Sequence, residues 1–141
     1  MTEIFTYLKL WLCVMGGLIM KALGGCDTLL VVLLGFIAVD YTSGVVLAIR
    51  NRKLNSRVGF YGLLKKAMIL LVVFLAHLLD AVTGFDAVRS MAVMFYISNE
   101  GISILENLGK LGVAYPQKLK DILEQLEDEK NDNSENTKSD N

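Results

Sequence analysis

Reactive and chain-breaking residues are scarce here. Among 141 residues there are two cysteines, one histidine, one proline and one tryptophan. A single histidine excludes a multi-histidine metal site. Cys13 and Cys26 form neither a metal-like nor a redox-like spacing and read as apolar filler. The lone Pro116 suits a mostly helical chain. A phosphate-cradling loop is also missing: Gly59-Phe60-Tyr61-Gly62 lacks the Walker pattern and follows no strand. The carboxylates are not paired as acid/base chemistry requires, and His77 has no nucleophile near it in sequence. These absences point away from an enzyme, and no cofactor is expected.

What is abundant is apolar. Hydrophobic residues make up 53% of the chain, and the mean hydropathy is +0.46. A soluble domain of this size usually carries more charge. The net charge of -1 conceals a segregation into one basic loop and one mixed tail. The expected fold is an all-α integral membrane protein. It has three transmembrane helices, an N-terminal helix that is interfacial or a fourth span, and a cytoplasmic amphipathic C-terminal helix.

The first apolar stretch, Ile4 to Leu23, is interrupted by Lys9 and Lys21, which leaves only residues 10–20 uncharged. That is short of the roughly 20 residues a crossing needs. Ile4, Tyr7, Leu8, Trp11 and Met15 recur at helical spacing, which suits a helix lying at headgroup level; a fourth span is the alternative. Leu23-Gly24-Gly25-Cys26 loosely resembles a lipoprotein cleavage box, but Glu3 and Lys21 argue against processing.

Residues 28–49 are the clearest span, with Asp40 as their one charge. A basic loop follows over 50–66, holding Arg50, Arg52, Lys53, Arg57, Lys65 and Lys66 and no acid. Short loops of this kind stay in the cytoplasm, so these residues should set the topology. A second span is expected over about 67–84, with Lys65 and Lys66 snorkelling at one end, and a third over about 88–108. These put the C-terminus in the cytoplasm of a multi-pass membrane protein. Beyond Pro116, Leu119, Ile122, Leu123 and Leu126 form one apolar stripe, so a helix is expected over about 116–130. Residues 131–141 contain only Asn, Asp, Ser, Glu, Thr and Lys and read as a disordered polar tail; 1–127 form the membrane domain.

Ionisable groups inside a bilayer are costly, about 2.5 to 3.5 kcal/mol each on insertion scales. The chain places Asp40 and Glu100 there, with His77 and Asp80 nearer an end. Asp40, Gly44 and Ala48 share a helix line with Ser43 beside them, and small residues there admit a close neighbour. His77, Asp80, Ala81 and Gly84 share a face, as do Tyr96, Glu100, Ser103 and Asn107, next to a line of Asn99, Ser103 and Glu106. Asp40, Ser43, Gly44, His77, Asp80, Asn99, Glu100, Ser103 and Asn107 are therefore the candidate pore-facing or oligomerisation residues. The polar faces should be satisfied by oligomerisation, with the third span as a wet lining. The plainer alternatives are that Asp40 pairs with a lysine and that Glu100 is an interfacial carboxylate.

Asp40-Tyr41-Thr42-Ser43-Gly44 resembles a pattern of the toxin-secretion/phage lysis holins. Gly62-Leu63-Leu64-Lys65-Lys66 after the basic loop is similar to the same family, as are the run Tyr96 to Asn107 and Leu111-Gly112-Val113-Ala114-Tyr115-Pro116 before Lys118-Leu119. The resemblance covers about residues 25–127. It implies a non-enzymatic, cofactor-free protein that oligomerises in the cytoplasmic membrane and opens lesions at a set time. The implied partners are the lipid bilayer, further copies of the chain, and a cell-wall endolysin or exported toxin, with no nucleic acid. An antiholin, or an accessory factor that does not permeabilise by itself, is the alternative.

Overall fold

The computed structural model describes residues 1–85 and 87–136. Five helices follow one another: α1 (Thr2–Ala22), α2 (Thr28–Arg50), α3 (Ser56–Thr83), α4 (Val88–Leu111) and α5 (Gln117–Asn136). The described residues contain no strand.

Local chemistry sets the boundaries. Asp27 caps α2 by accepting a 2.9 Å bond from the Leu30 amide, and Asn55 caps α3 by accepting from Arg57 at 3.1 Å. Gly84 (φ 73°) and Gly112 (φ 81°) end α3 and α4 in the left-handed conformation that glycine adopts without strain. The basic stretch is therefore a loop only over 51–55. Helix α3 starts at Ser56, earlier than the apolar run that begins at Ala67, because Arg and Lys are good helix formers and Asn55 supplies the cap.

Helices α2, α3 and α4 form the bundle. Its core is Leu23, Leu30, Leu33, Ile69, Val73, Val93 and Ile97. The start of α2 meets the start of α4 through Asp27 and Arg89, and their ends meet where Arg50 donates to the Lys110 carbonyl at 3.2 Å. These two helices run in parallel. Helix α3 runs against both, since Asp80 near its end accepts from the Val88 and Arg89 amides that begin α4. The outer faces of α2 and α3 stay apolar: Val31, Val39, Val46, Leu71, Leu75 and Leu79 are all exposed.

Among the described residues three helices are long and apolar enough to cross a membrane: Glu3–Ala22, Thr28–Arg50 and Gly59–Thr83. This set differs from the expected one at both ends. The N-terminal helix qualifies on length and composition, which favours the fourth-span alternative. Helix α4, expected to be the third span, does not qualify by itself. It runs the length of α2, and its charged Arg89 and Glu100 are turned inward.

Met20 near the end of α1 and Leu23 just after it pack into the core. None of the residues 3–22 is buried. Helix α5 doubles back antiparallel to α4: Tyr115 lies by Gly109 and Leu123 by Gly101. The polar tail expected from Asn131 begins inside α5, and residues 137–141 lie outside the described residues.

Candidate functional site: a buried charge triad and an arginine clasp

A single stripe of α3 is buried: Lys66, Ile69, Val73, Ala76 and Asp80. The alternating steps of three and four are those of a bundle seam, so the stripe carries an ionic group at each end and apolar residues between. These two ends organise two polar sites.

At the first, Lys66 Nζ donates to Asp40 Oδ2 at 2.5 Å and also to Glu100 Oε2. One ammonium from α3 thus bridges a carboxylate from α2 and one from α4. The side chains of Lys66, Asp40 and Glu100 are only 10%, 10% and 2% exposed. Asn107 extends the network, donating to Asp40 Oδ1 at 3.3 Å and to Ser43 Oγ at 3.0 Å, while Ser43 Oγ donates to the Asp40 carbonyl at 3.0 Å. Two carboxylates on one cation leave a formal charge of -1 inside the bundle. The triad opens onto a cavity of about 420 Å³, lined also by Tyr41, Gly44, Ala48, Asn99, Ser103 and Glu106 and reaching the 51–55 loop at Leu54 and Asn55.

At the opposite end, Arg89 forms a clasp. Its Nη1 lies 2.6 Å from Asp27 Oδ2, its Nη2 donates to Asp27 Oδ1 at 3.2 Å, and its Nε donates to the Leu23 carbonyl at 2.5 Å. Gly25 O accepts a further bond at 3.4 Å. The guanidinium fork fits several acceptors at once, which an ammonium does not. It ties the α1–α2 corner to α4, while Asp80 ties α3 to the first turn of α4. The hydrogen bonds from Arg89, aided by the Leu30 amide, hold the Asp27 carboxyl below its ordinary value of 3.8 against the opposing effect of burial. Gly24 (φ 89°) passes so close that a Cβ there would fall 2.5 Å from Arg89 Nε and 2.9 Å from His77 Nδ1.

The candidate residues thus divide between the two ends. Asp40, Ser43, Gly44, Asn99, Glu100, Ser103 and Asn107 gather at the triad, and His77 and Asp80 line a second cavity of about 260 Å³ beside Arg89. Among the described residues no buried side-chain nitrogen or oxygen lacks a partner. Within one chain Asp40, Ser43, Lys66, Glu100 and Asn107 already bond to one another. Asp40 follows the lysine-pairing alternative. Glu100 is 1% exposed, buried among the bundle helices.

Lys66 does not snorkel, because two acids draw it into the bundle. Arg50, Arg52, Lys53, Arg57 and Lys65 remain exposed. Sequence reasoning missed Asp27 and Arg89. Arg89 heads the buried series Arg89, Val93, Ile97, which was the signal for it.

The bacteriophage holin family matches residues 17–128. A 14.9 kDa protein of the nagH 3' region in Clostridium perfringens is 41% identical over 132 residues, 92% of this chain and 100% of that protein. Protein Lin0175 of Listeria innocua is 37% identical, over 82% of this chain and 84% of its own length. A protein of Bacillus phage phi105 named as a probable holin is 37% identical over 72% of this chain and 74% of its own. No solved structure matches.

Proposed function

This chain belongs to the bacteriophage holin family, and on that premise we propose that it opens lesions in the bacterial cytoplasmic membrane by oligomerising, releasing a cell-wall endolysin or an exported toxin. It acts without catalysis. The observation that carries this reading is the Asp40–Lys66–Glu100 triad, which joins all three bundle helices at a single cation.

Helices α2 and α3 cross the bilayer with their apolar faces outward, and α4 crosses beside them. The exposed cations Arg50, Arg52, Lys53, Arg57 and Lys65 at one end keep that end, and the C-terminus, in the cytoplasm. In the closed monomer the polar groups pair inside the bundle. Separating the helices exposes those groups and converts three inward polar faces into surfaces that favour water. A broken buried ion pair costs about 3–5 kcal/mol when one partner is left uncompensated. That cost resists premature opening. Crowding of monomers offsets it by replacing contacts within one copy with contacts between copies. The membrane potential biases the same step, since one charge moved across the full field is worth about 2.3 kcal/mol per 100 mV.

The test is induced expression of the chain alone in a bacterium, following membrane potential and escape of a large reporter protein. Abrupt depolarisation with reporter release is expected. Stable potential and no release at matched membrane levels would contradict the reading and favour a factor that restrains lysis.

A further inference from the structure

Three helices of this chain end on a glycine in the left-handed region: Gly24 (φ 89°) after α1, Gly84 (φ 73°) after α3 and Gly112 (φ 81°) after α4. The end of α2 has the same geometry with an arginine in that place. The Arg52 amide (φ 53°) donates to the Ile49 carbonyl at 3.0 Å, and the Lys53 amide donates to the Ala48 carbonyl at 3.0 Å. Glycine ordinarily serves this closing motif, because a Cβ in the left-handed region crowds the following carbonyl. Arg52 is the only non-glycine residue with positive φ among the described residues. A tight corner asks for glycine, and topology asks only for positive charge somewhere in the loop. Neither accounts for a guanidinium at the strained position itself.

Its surroundings supply a chemistry. No acid occurs between Asp40 and Asp80. Arg52, Lys53, Arg57 and Lys65 are exposed, and none of them makes an ion pair among the described residues. Glu106, an exposed acid on the same half of α4, is already paired with Lys110 at 3.6 Å. Arg57, Tyr61 and Lys65 follow at steps of four along the first turns of α3. They cover about 12 Å of its axis, enough to bracket a headgroup layer of about 5 to 7 Å a side. Phe60 and Tyr61 lie between the two cations, both exposed, with ring centroids 6.5 Å apart. Such rings settle at headgroup level, with an apolar body toward the acyl chains. Guanidinium and ammonium groups above them meet phosphate oxygens.

We propose that the corner between α2 and α3 is a binding surface for anionic phospholipid. Arg52, Lys53, Arg57 and Lys65 donate to the headgroup phosphate, and Phe60 and Tyr61 anchor beside them at the acyl boundary. The surface requires residence in a bilayer and is independent of lesion formation.

The experiment uses the full-length chain with Trp11→Phe and Tyr61→Trp, reconstituted into mixed vesicles of phosphatidylcholine and phosphatidylglycerol. One lipid or the other carries brominated acyl chains, so quenching of the introduced indole reports which lipid lies beside it. A preference for phosphatidylglycerol of at least about threefold is expected. It should fall to near unity when Arg52, Lys53, Arg57 and Lys65 are all replaced by Gln, a change confined to exposed side chains; circular dichroism checks that the helices persist. Equal quenching by the two lipids, or a preference that survives the fourfold replacement, would overturn the surface. An indole introduced instead by Leu75→Trp, on the exposed apolar face of α3 away from the corner, should show no preference. The same preference there would mean that vesicle charge acts on the whole chain, and the surface would be overturned. Loss of the preference in inorganic phosphate, but not in chloride of equal ionic strength, would assign the cations to free phosphate and refute the lipid. Arg52→Gly isolates the strained position. It should unfold no earlier than the parent on heating and lose at least about half of the preference, whereas an undiminished preference would remove Arg52 from the surface.

Discussion

Lys66 and Glu100, thirty-four residues apart in sequence, meet as an ammonium and a carboxylate in the interior of the bundle. Asp40 shares the same ammonium. Because two acids share one cation, losing one acid leaves a neutral, complete pair. Asp40→Asn and Glu100→Gln should each shift the onset of lysis only modestly, about twofold or less. Timed optical density after induction measures this. A shift in either variant as large as that of Lys66→Met would mean that the carboxylates do not act as a shared set.

The clasp should govern stability rather than timing. Arg89→Ala removes bonds to Asp27 and to the Leu23 and Gly25 carbonyls at once. It should destabilise the detergent-solubilised protein by about 2 kcal/mol, the scale of hydrogen bonds to charged groups. Arg89→Lys should recover only part of this, because an ammonium lacks the fork. Thermal unfolding followed by circular dichroism checks both variants.

Acid should release the same contact late. The folded Asp27 carboxyl titrates below its ordinary value of 3.8. Its contribution is therefore complete above that value and is lost as the pH falls through the lower, folded one. Unfolding temperature should be unaffected by Asp27→Asn only at pH well below 3.8 and should differ from the parent at pH 5 and 7. A gap between the two proteins that closes between pH 7 and 5 would contradict the assignment.

Two glycines with left-handed backbone separate strain from collision. Gly84→Ala (φ 73°) adds a Cβ in open space and should cost about 1–2 kcal/mol from the backbone alone. Gly24→Ala (φ 89°) meets Arg89 and His77 as well and should cost distinctly more. Equal losses in thermal unfolding would mean that Arg89 yields freely.

Much of the fold was legible because apolar length and periodicity report on single helices. Arg50 ends the apolar run that is α2, and the stripe Leu119, Ile122, Leu123 marks α5. Asp40 and Glu100 stood out because isolated charges in apolar helices demand partners. Their shared partner was not legible. Lys66 sits in a run of cations at the edge of an apolar segment, where a lysine ordinarily reaches for the interface. Its pairing spans 26 and 34 residues, which no periodicity encodes. Helix α4 was read as a third span with a wet polar face, from its uncharged run over 90–99 and the polar line that follows. Its companionship with α2, which lets it keep Arg89 and Glu100, is a tertiary property. The freedom of α1 is likewise invisible in sequence, since Lys9 and Lys21 interrupt it without making it too polar to cross.

The most direct measurement of the central claim is the onset of reporter release for Lys66→Met beside the triple neutral variant Lys66→Met, Asp40→Asn, Glu100→Gln, at equal membrane levels. Removing the cation alone strands two buried carboxylates, whereas a neutral set of similar volume is often tolerated. Release markedly earlier than the parent for Lys66→Met, restored toward the parent's time in the triple variant, is the predicted result. Parental timing in Lys66→Met, or no restoration in the triple variant, would contradict the claim that the triad holds the closed state.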